Sequence, residues 1–113
     1  MPDEVKIPFS DWEKLDLRVA KILEVEDHPR ADKLYLLQVD LGSEKRQLVA
    51  GLKPYYSKED LKGKLCIVFV NLEPAVIRGE KSEGMLLAAQ NLQENKVILI
   101  APEREIEPGS KVR

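Results

Sequence analysis

One cysteine, one histidine, few aromatic residues and no excess of positive charge leave this 113-residue chain without several common kinds of chemistry. Cys66 cannot close a disulfide within the chain, and its place inside LCIVFV marks it as a small buried side chain suited to a reducing cytoplasm. With His28 as the sole histidine, neither a conventional zinc site nor a Cys–His nucleophilic pair can be assembled in one chain, so no metal and no cofactor is expected. A phosphate-cradling loop of the GxxxxGK[ST] type is absent, and the spacing of the many carboxylates singles out no catalytic pair. No apolar run approaches the roughly 20 residues of a membrane span, and residues 1–14 lack the basic start and apolar middle of a signal peptide. A cytoplasmic protein without a membrane partner is expected. Aromatics make up 5% of the chain, with tyrosines only at Tyr35, Tyr55 and Tyr56, so stacking of several bases is unavailable. The formal net charge of −2 excludes coating of nucleic acid through bulk positive charge.

What remains is a hydrophobic fraction of 43% and a charged fraction of 34%, the composition of one globular domain spanning 1–113. Charge is unevenly placed. Residues 43–70 carry Lys45, Arg46, Lys53, Lys58, Lys62 and Lys64 against Glu44, Glu59 and Asp60, whereas residues 1–16 are mainly acidic.

Ser10 followed by Glu13 has the form of a capping box, which predicts a short helix there with Phe9 and Trp12 on its apolar side. Alternating apolar residues over 17–25 predict a strand, bent or bulged near 20–22. The polar DHPRADK at 27–33 is a turn, followed by strands over 34–41 and 46–50 joined by a hairpin turn at 42–45. Ser57 caps a short helix ended by Gly63, and a continuous apolar strand covers 65–70. The stretch 71–84 reads as a long loop with Pro74, Gly79, Gly84 and the donors Arg78, Lys81 and Ser82, before strands over 85–90 and 97–100. Three strands, a helix and two strands is the order of the all-β, five-stranded OB-fold Greek-key barrel, with its core over about 16–90. That fold brings the loops 27–33 and 71–84 to one side of the barrel, where its ligands sit.

Four phrases in this order then become specific: DLRV at 16–19, HPRADKLY at 28–35, NLEP at 71–74 and RGEKSEGMLLAA at 78–89. Together they closely resemble the tRNA-binding domain appended to methionyl-tRNA synthetases and found also as free-standing tRNA-binding proteins and in cytokine-like synthetase cofactors. The likeness covers about 9–112. It implies a non-catalytic OB-fold module that acts as a homodimer, recognises the shape of tRNA without reading the anticodon, and assists methionyl-tRNA synthetase. Because the chain begins at Met1 and carries no catalytic domain, it looks like a beta subunit or a stand-alone protein; a segment cut from a longer synthetase has the same appearance. A relative in this family acts as an export-associated chaperone but lacks the HPxADKLY and SEGM wording. A polypeptide-binding module on the same barrel is accordingly the alternative.

Within that frame Arg30 and Lys33 can reach phosphate, or form an ordinary solvated turn. Arg78 offers a planar fork of donors for phosphate or a base edge, or an ion pair with Glu80 or Glu83. Ser82 can bond a 2′-hydroxyl or phosphate, and Met85 can lie under a base or ribose, or belong to the barrel core. Asn71 either fixes its loop or contacts RNA, while Arg46, Lys53 and Lys64 extend a basic face. Phe9, Trp12 and the strand 97–100 are apolar segments beyond the minimal barrel, and a two-fold contact between the chain ends would cover them. The competing arrangement folds both ends back on their own barrel.

Overall fold

A computed structural model describes residues 4–113. In chain order the elements are α1 (Phe9–Glu13), β1 (Leu17–Asp27), β2 (Tyr35–Asp40), β3 (Lys45–Ala50), α2 (Lys58–Leu61), β4 (Leu65–Phe69), β5 (Ala75–Ile77), β6 (Glu80–Ser82), β7 (Met85–Leu86), β8 (Ala88–Asn91), β9 (Lys96–Leu99) and β10 (Lys111–Val112).

The strand β1 organises the barrel because it is paired on both edges. One edge meets β4, from Leu17 opposite Phe69 to Lys21 opposite Leu65; the other meets β2, from Lys21 opposite Asp40 to Asp27 opposite Tyr35. The antiparallel ladder runs β3-β2-β1-β4-β7. It closes where β3 meets the end of β6: the Val49 N–H donates to Ser82 Oγ at 3.0 Å and the Glu83 N–H to Gln47 O at 2.8 Å. These five strands, with α2 between β3 and β4, form the expected OB-like barrel. The α2 cap is also as expected, since Ser57 Oγ accepts from the Asp60 N–H at 3.1 Å.

The bulge lies between Ile22 and Glu24, at the edge of the span expected for it, and it changes which residues face inward. Before it, Ala20 and Ile22 point into the main core; after it, Val25 does. The odd-numbered Leu17 and Val19, which alternation alone would align with Val25, face the outside of the barrel. There they form a second cluster with Ile67, covered by Trp12, Leu15, Leu65, Phe69, Leu87 and Val112.

Three local expectations change, and the tail adds a strand. The helix α1 starts at Phe9, with Pro8 as its N-cap and no side-chain cap, so Ser10 lies inside the turn and forms no capping box. Residues 71–84 are not a simple loop, because β5 and β6 pair as a hairpin. The strand expected over 85–90 divides at Leu87, whose N–H bonds Ile67 O at 3.0 Å while its carbonyl accepts from the Ile100 N–H at 3.1 Å. The chain thereby leaves the barrel, and β8 pairs with β9 in a separate two-stranded sheet. Finally, the tail supplies β10, which continues the β2 edge of β1 with Leu17 opposite Val112.

The tail is held by an unusually close backbone approach. The Gly109 N–H donates to Val19 O at 2.7 Å, and a Cβ on Gly109 would lie 2.5 Å from Leu41 O. Both ends of the chain therefore return in part to their own barrel: Trp12 and Val112 cover the outer cluster. Phe9 and Ile98 remain 69% and 55% exposed.

Candidate nucleic-acid interface

The turn 28–34 and the β5–β6 hairpin are distant in sequence and touch in space. Ile77 pairs with Glu80, leaving Arg78 and Gly79 as a two-residue connection with φ of 52° and 87°. Positive φ at both positions defines a type I′ turn, whose twist suits a hairpin. Glycine adopts it without cost, whereas an arginine pays about 1–2 kcal/mol for the left-handed conformation. Arg78 is thus held in a strained position at the exposed tip of the hairpin.

Across from it, the Arg30 side chain bridges the two segments. Its Nε–H donates to Arg78 O at 2.9 Å and its Nη2 lies 3.4 Å from a Glu80 carboxylate oxygen. His28 makes a second bridge. Its Nδ1 accepts from the Arg30 N–H at 3.0 Å, so Nε2 carries the proton and donates to Ile77 O at 2.9 Å. Between the segments lies an open cleft of about 300 Å³ lined by Arg30, Ala31, Asp32, Lys33, Leu34 and Arg78.

Two of the expected cations keep their charge available here. Lys33 and Arg78 are exposed, and among the described residues neither joins an ion pair. Arg30 shares the cleft but is partly engaged in holding the hairpin.

The other candidates are placed differently. Ser82 is 4% exposed, and its hydroxyl accepts from Val49 N–H while donating to Gly84 O at 3.0 Å. Closing the barrel occupies the group that was expected to meet RNA. Asn71 ties the N-terminal segment down, accepting from the Asp16 N–H at 2.7 Å and donating to Lys14 O at 2.7 Å. Arg46 donates through Nη1 to Val70 O at 2.6 Å and Glu83 O at 3.2 Å, and it pairs with Glu44 at 2.8 Å. Lys53 pairs with Asp27 at 3.0 Å. Met85 is 46% exposed on β7, outside the main core and outside the lining of the cleft.

Four of the six cations in the basic segment 43–70 are paired, whereas Lys45 and Lys64 are exposed and join no ion pair among the described residues. Lys53 and Lys58 both contact Asp27, Lys62 meets Glu24, and Arg46 meets Glu44. Hydrogen bonds from Lys58 and then Lys53 hold the Asp27 carboxyl below its usual range, and the bond to Asp27 raises the Lys58 ammonium. Among the described residues no group of three or more metal-ligating side chains gathers. Among the described residues no helix is long and apolar enough to cross a membrane. Aromatic hydroxyls are also engaged within the fold: Tyr35 donates to Tyr56 O at 2.7 Å, and Tyr56 Oη accepts from the Leu99 N–H at 3.1 Å.

Sequence reading missed the hairpin and the bridge made by His28. The hairpin had a signal in the Arg78-Gly79 pair, since glycine at the second position of a two-residue turn suits type I′ geometry. The bridge had none, because its acceptor lies 49 residues away.

Comparison with known proteins fits this geometry. A family profile described as "Putative tRNA binding domain" matches residues 17–111. The methionine–tRNA ligase of Pyrococcus horikoshii is 57% identical over 107 residues, a match that covers 95% of this chain and 14% of that protein. The chain thus spans about one seventh of the length of the curated relatives it matches. Among solved structures, a MetRS-related protein from Pyrococcus horikoshii superposes with a TM-score of 0.90 at 33% identity, covering 97% of this chain and all of that one. The chaperone CsaA of Bacillus anthracis superposes at 0.86 with 29% identity, over 96% of this chain and all of that one. With two loops gathered on one side of an OB-like barrel and a family match over nearly its whole length, this chain belongs to the tRNA-binding domain family.

Proposed function

We propose that this chain binds tRNA by shape and backbone charge, as a homodimer, and assists methionyl-tRNA synthetase in the cytoplasm without catalysing a reaction itself. The observation that carries the reading is the cleft between the turn 28–34 and the hairpin tip, where Lys33 and Arg78 present unpaired charge in an otherwise acidic chain. Few phosphate contacts are available, which gives a salt slope corresponding to roughly three to six neutralised phosphates per dimer. Dimerisation would set two such clefts at a fixed separation, so that one rigid RNA engages both at high effective concentration. Exposed Phe9 and Ile98 supply apolar surface for the two-fold contact.

The test is titration of purified protein with tRNA at several salt concentrations, alongside Lys33→Ala and Arg78→Ala. Each variant should weaken binding by about 1 kcal/mol or more and, because a homodimer loses the cation from both clefts, reduce the salt slope by about two. Unaltered affinity in both would remove this cleft from the site. Sedimentation should show a dimer binding one tRNA, and Ile98→Glu should give folded monomers that bind far more weakly. Folded monomers of undiminished affinity would show that one barrel suffices.

The likeness to the chaperone CsaA, together with exposed Phe9, Val76 and Ile98, favours one second reading: binding of unfolded polypeptide. Suppression of client aggregation without retention of tRNA would select it.

A further inference from the structure

The contacts joining the turn 28–34 to the hairpin are unequal. Arg30 works from an exposed side chain, whereas His28 is 5% exposed and both of its ring nitrogens are engaged. Its own N–H also donates to Leu34 O at 3.1 Å, closing the turn that carries Lys33. His28 therefore fixes the shape of one segment and grips the other at Ile77, the residue immediately before Arg78.

The far end of the hairpin is anchored separately. Gln47 Nε2–H donates to Lys81 O at 2.9 Å, and Ser82 accepts from Val49 N–H. These bonds to β3 fix where the hairpin leaves the barrel. The bonds at its tip, from His28 and Arg30, tie Arg78 directly to the turn that carries Lys33.

We infer that His28 is a positioning residue for RNA binding: through Ile77 O it holds the hairpin tip against the turn, and so sets the separation of Lys33 and Arg78 before RNA arrives. A part-buried hydrogen bond from a buried ring suits this task because opening it leaves the ring N–H without its partner. Fixing the two cations in advance removes an ordering cost from association. This role rests on the tRNA-binding reading above.

Two substitutions separate the parts of the bond network. In His28→Asn the amide oxygen can replace Nδ1 and keep the turn bond from Arg30 N–H, but the side chain is too short for Ile77 O. In His28→Gln the longer amide can donate to Ile77 O again. Amide exchange over residues 75–82 is measured in RNA-free protein, and tRNA affinity is measured in the wild-type and Arg78→Ala backgrounds. His28→Asn should speed hairpin exchange and weaken tRNA binding about 5- to 10-fold, the loss of roughly one buried hydrogen bond. His28→Gln should recover most of both, and His28→Asn should cost nothing further once Arg78 is gone.

Unchanged exchange in folded His28→Asn overturns the inference. So does an equal loss of affinity in the Arg78→Ala background, or a His28→Asn protein that does not fold, since either makes His28 a residue of the fold alone. Wild-type protein that retains no tRNA overturns the function proposed above instead, and hairpin exchange then decides whether His28 holds the tip.

Discussion

The guanidinium of Arg30 occupies the space that a Cβ on Gly79 would fill. Gly79 also has φ of +87°, and it is this backbone angle that demands glycine at the tip, since the exposed end of Arg30 can swing aside. Gly79→Ala should destabilise the protein by about 1–2 kcal/mol through the left-handed backbone alone, and displace Arg30 in addition. Adding Arg30→Ala should relieve the steric part and leave the backbone part, a coupling that urea unfolding of the single and double variants reads directly. An unchanged unfolding midpoint in Gly79→Ala would contradict the packing.

Arg46 and Arg78 should separate structural from RNA-facing arginines. Arg46 satisfies the carbonyls of Val70 and Glu83, so Arg46→Ala should cost about 1–3 kcal/mol of stability. Arg78→Ala should leave the melting temperature nearly unchanged, because alanine keeps the same Cβ at φ of 52° and no ion pair is removed. Thermal melts of the two variants, set beside their tRNA salt slopes, should rank them in opposite orders.

Burial pushes the Cys66 thiol up to about 12. At pH 8 almost no thiolate exists in the folded protein, and the sulfur lies inside the barrel. Labelling by a thiol reagent should be roughly a thousandfold or more slower for native than for urea-unfolded protein, in line with the small unfolded fraction. Rapid labelling of the native state would place Cys66 outside the core.

Asp27 gives the pH dependence a definite sign. Its folded carboxyl lies below the ordinary 3.8 because Lys58 and Lys53 bond it, so its contribution is fully present above that value and fades as pH falls through the lower folded one. The Lys58 ammonium is raised above its ordinary 10.5, so its share is fully present below that value and fades as pH rises through the folded one. Asp27→Asn should lower the melting temperature slightly and by a constant amount between pH 5 and 9, as roughly expected for an exposed, salt-screened cluster. Calorimetry should show the difference closing in strong acid. A gap that widens there would assign the effect to another group.

Much of the fold was legible because strands of this barrel are short, strongly alternating and bounded by turn residues. The run at β4 and the Ser57 cap of α2 are local patterns, and local patterns survive into the structure. The bulge in β1 was only partly readable. Its existence showed in the interrupted alternation, but which apolar residues face inward depended on pairing with β2 and β4.

The candidate interface divides in the same way. Sequence by itself determined the barrel order, the two turn-rich segments and the supply of cations at Arg30, Lys33 and Arg78, because composition and period act within a few residues of one another. Tertiary structure alone decided which cations remain available. Arg46 and Lys53 were expected to extend a basic face, and Val70, Glu83, Glu44 and Asp27 came within reach of them only in the folded chain. Ser82 became a barrel-closing residue only when β3 arrived beside it, and His28 found its acceptor 49 residues away. Hydrogen bonds and ion pairs act over about 3–4 Å of space, and proximity in space at such sequence separations is created by the closed sheet rather than by any neighbouring residue.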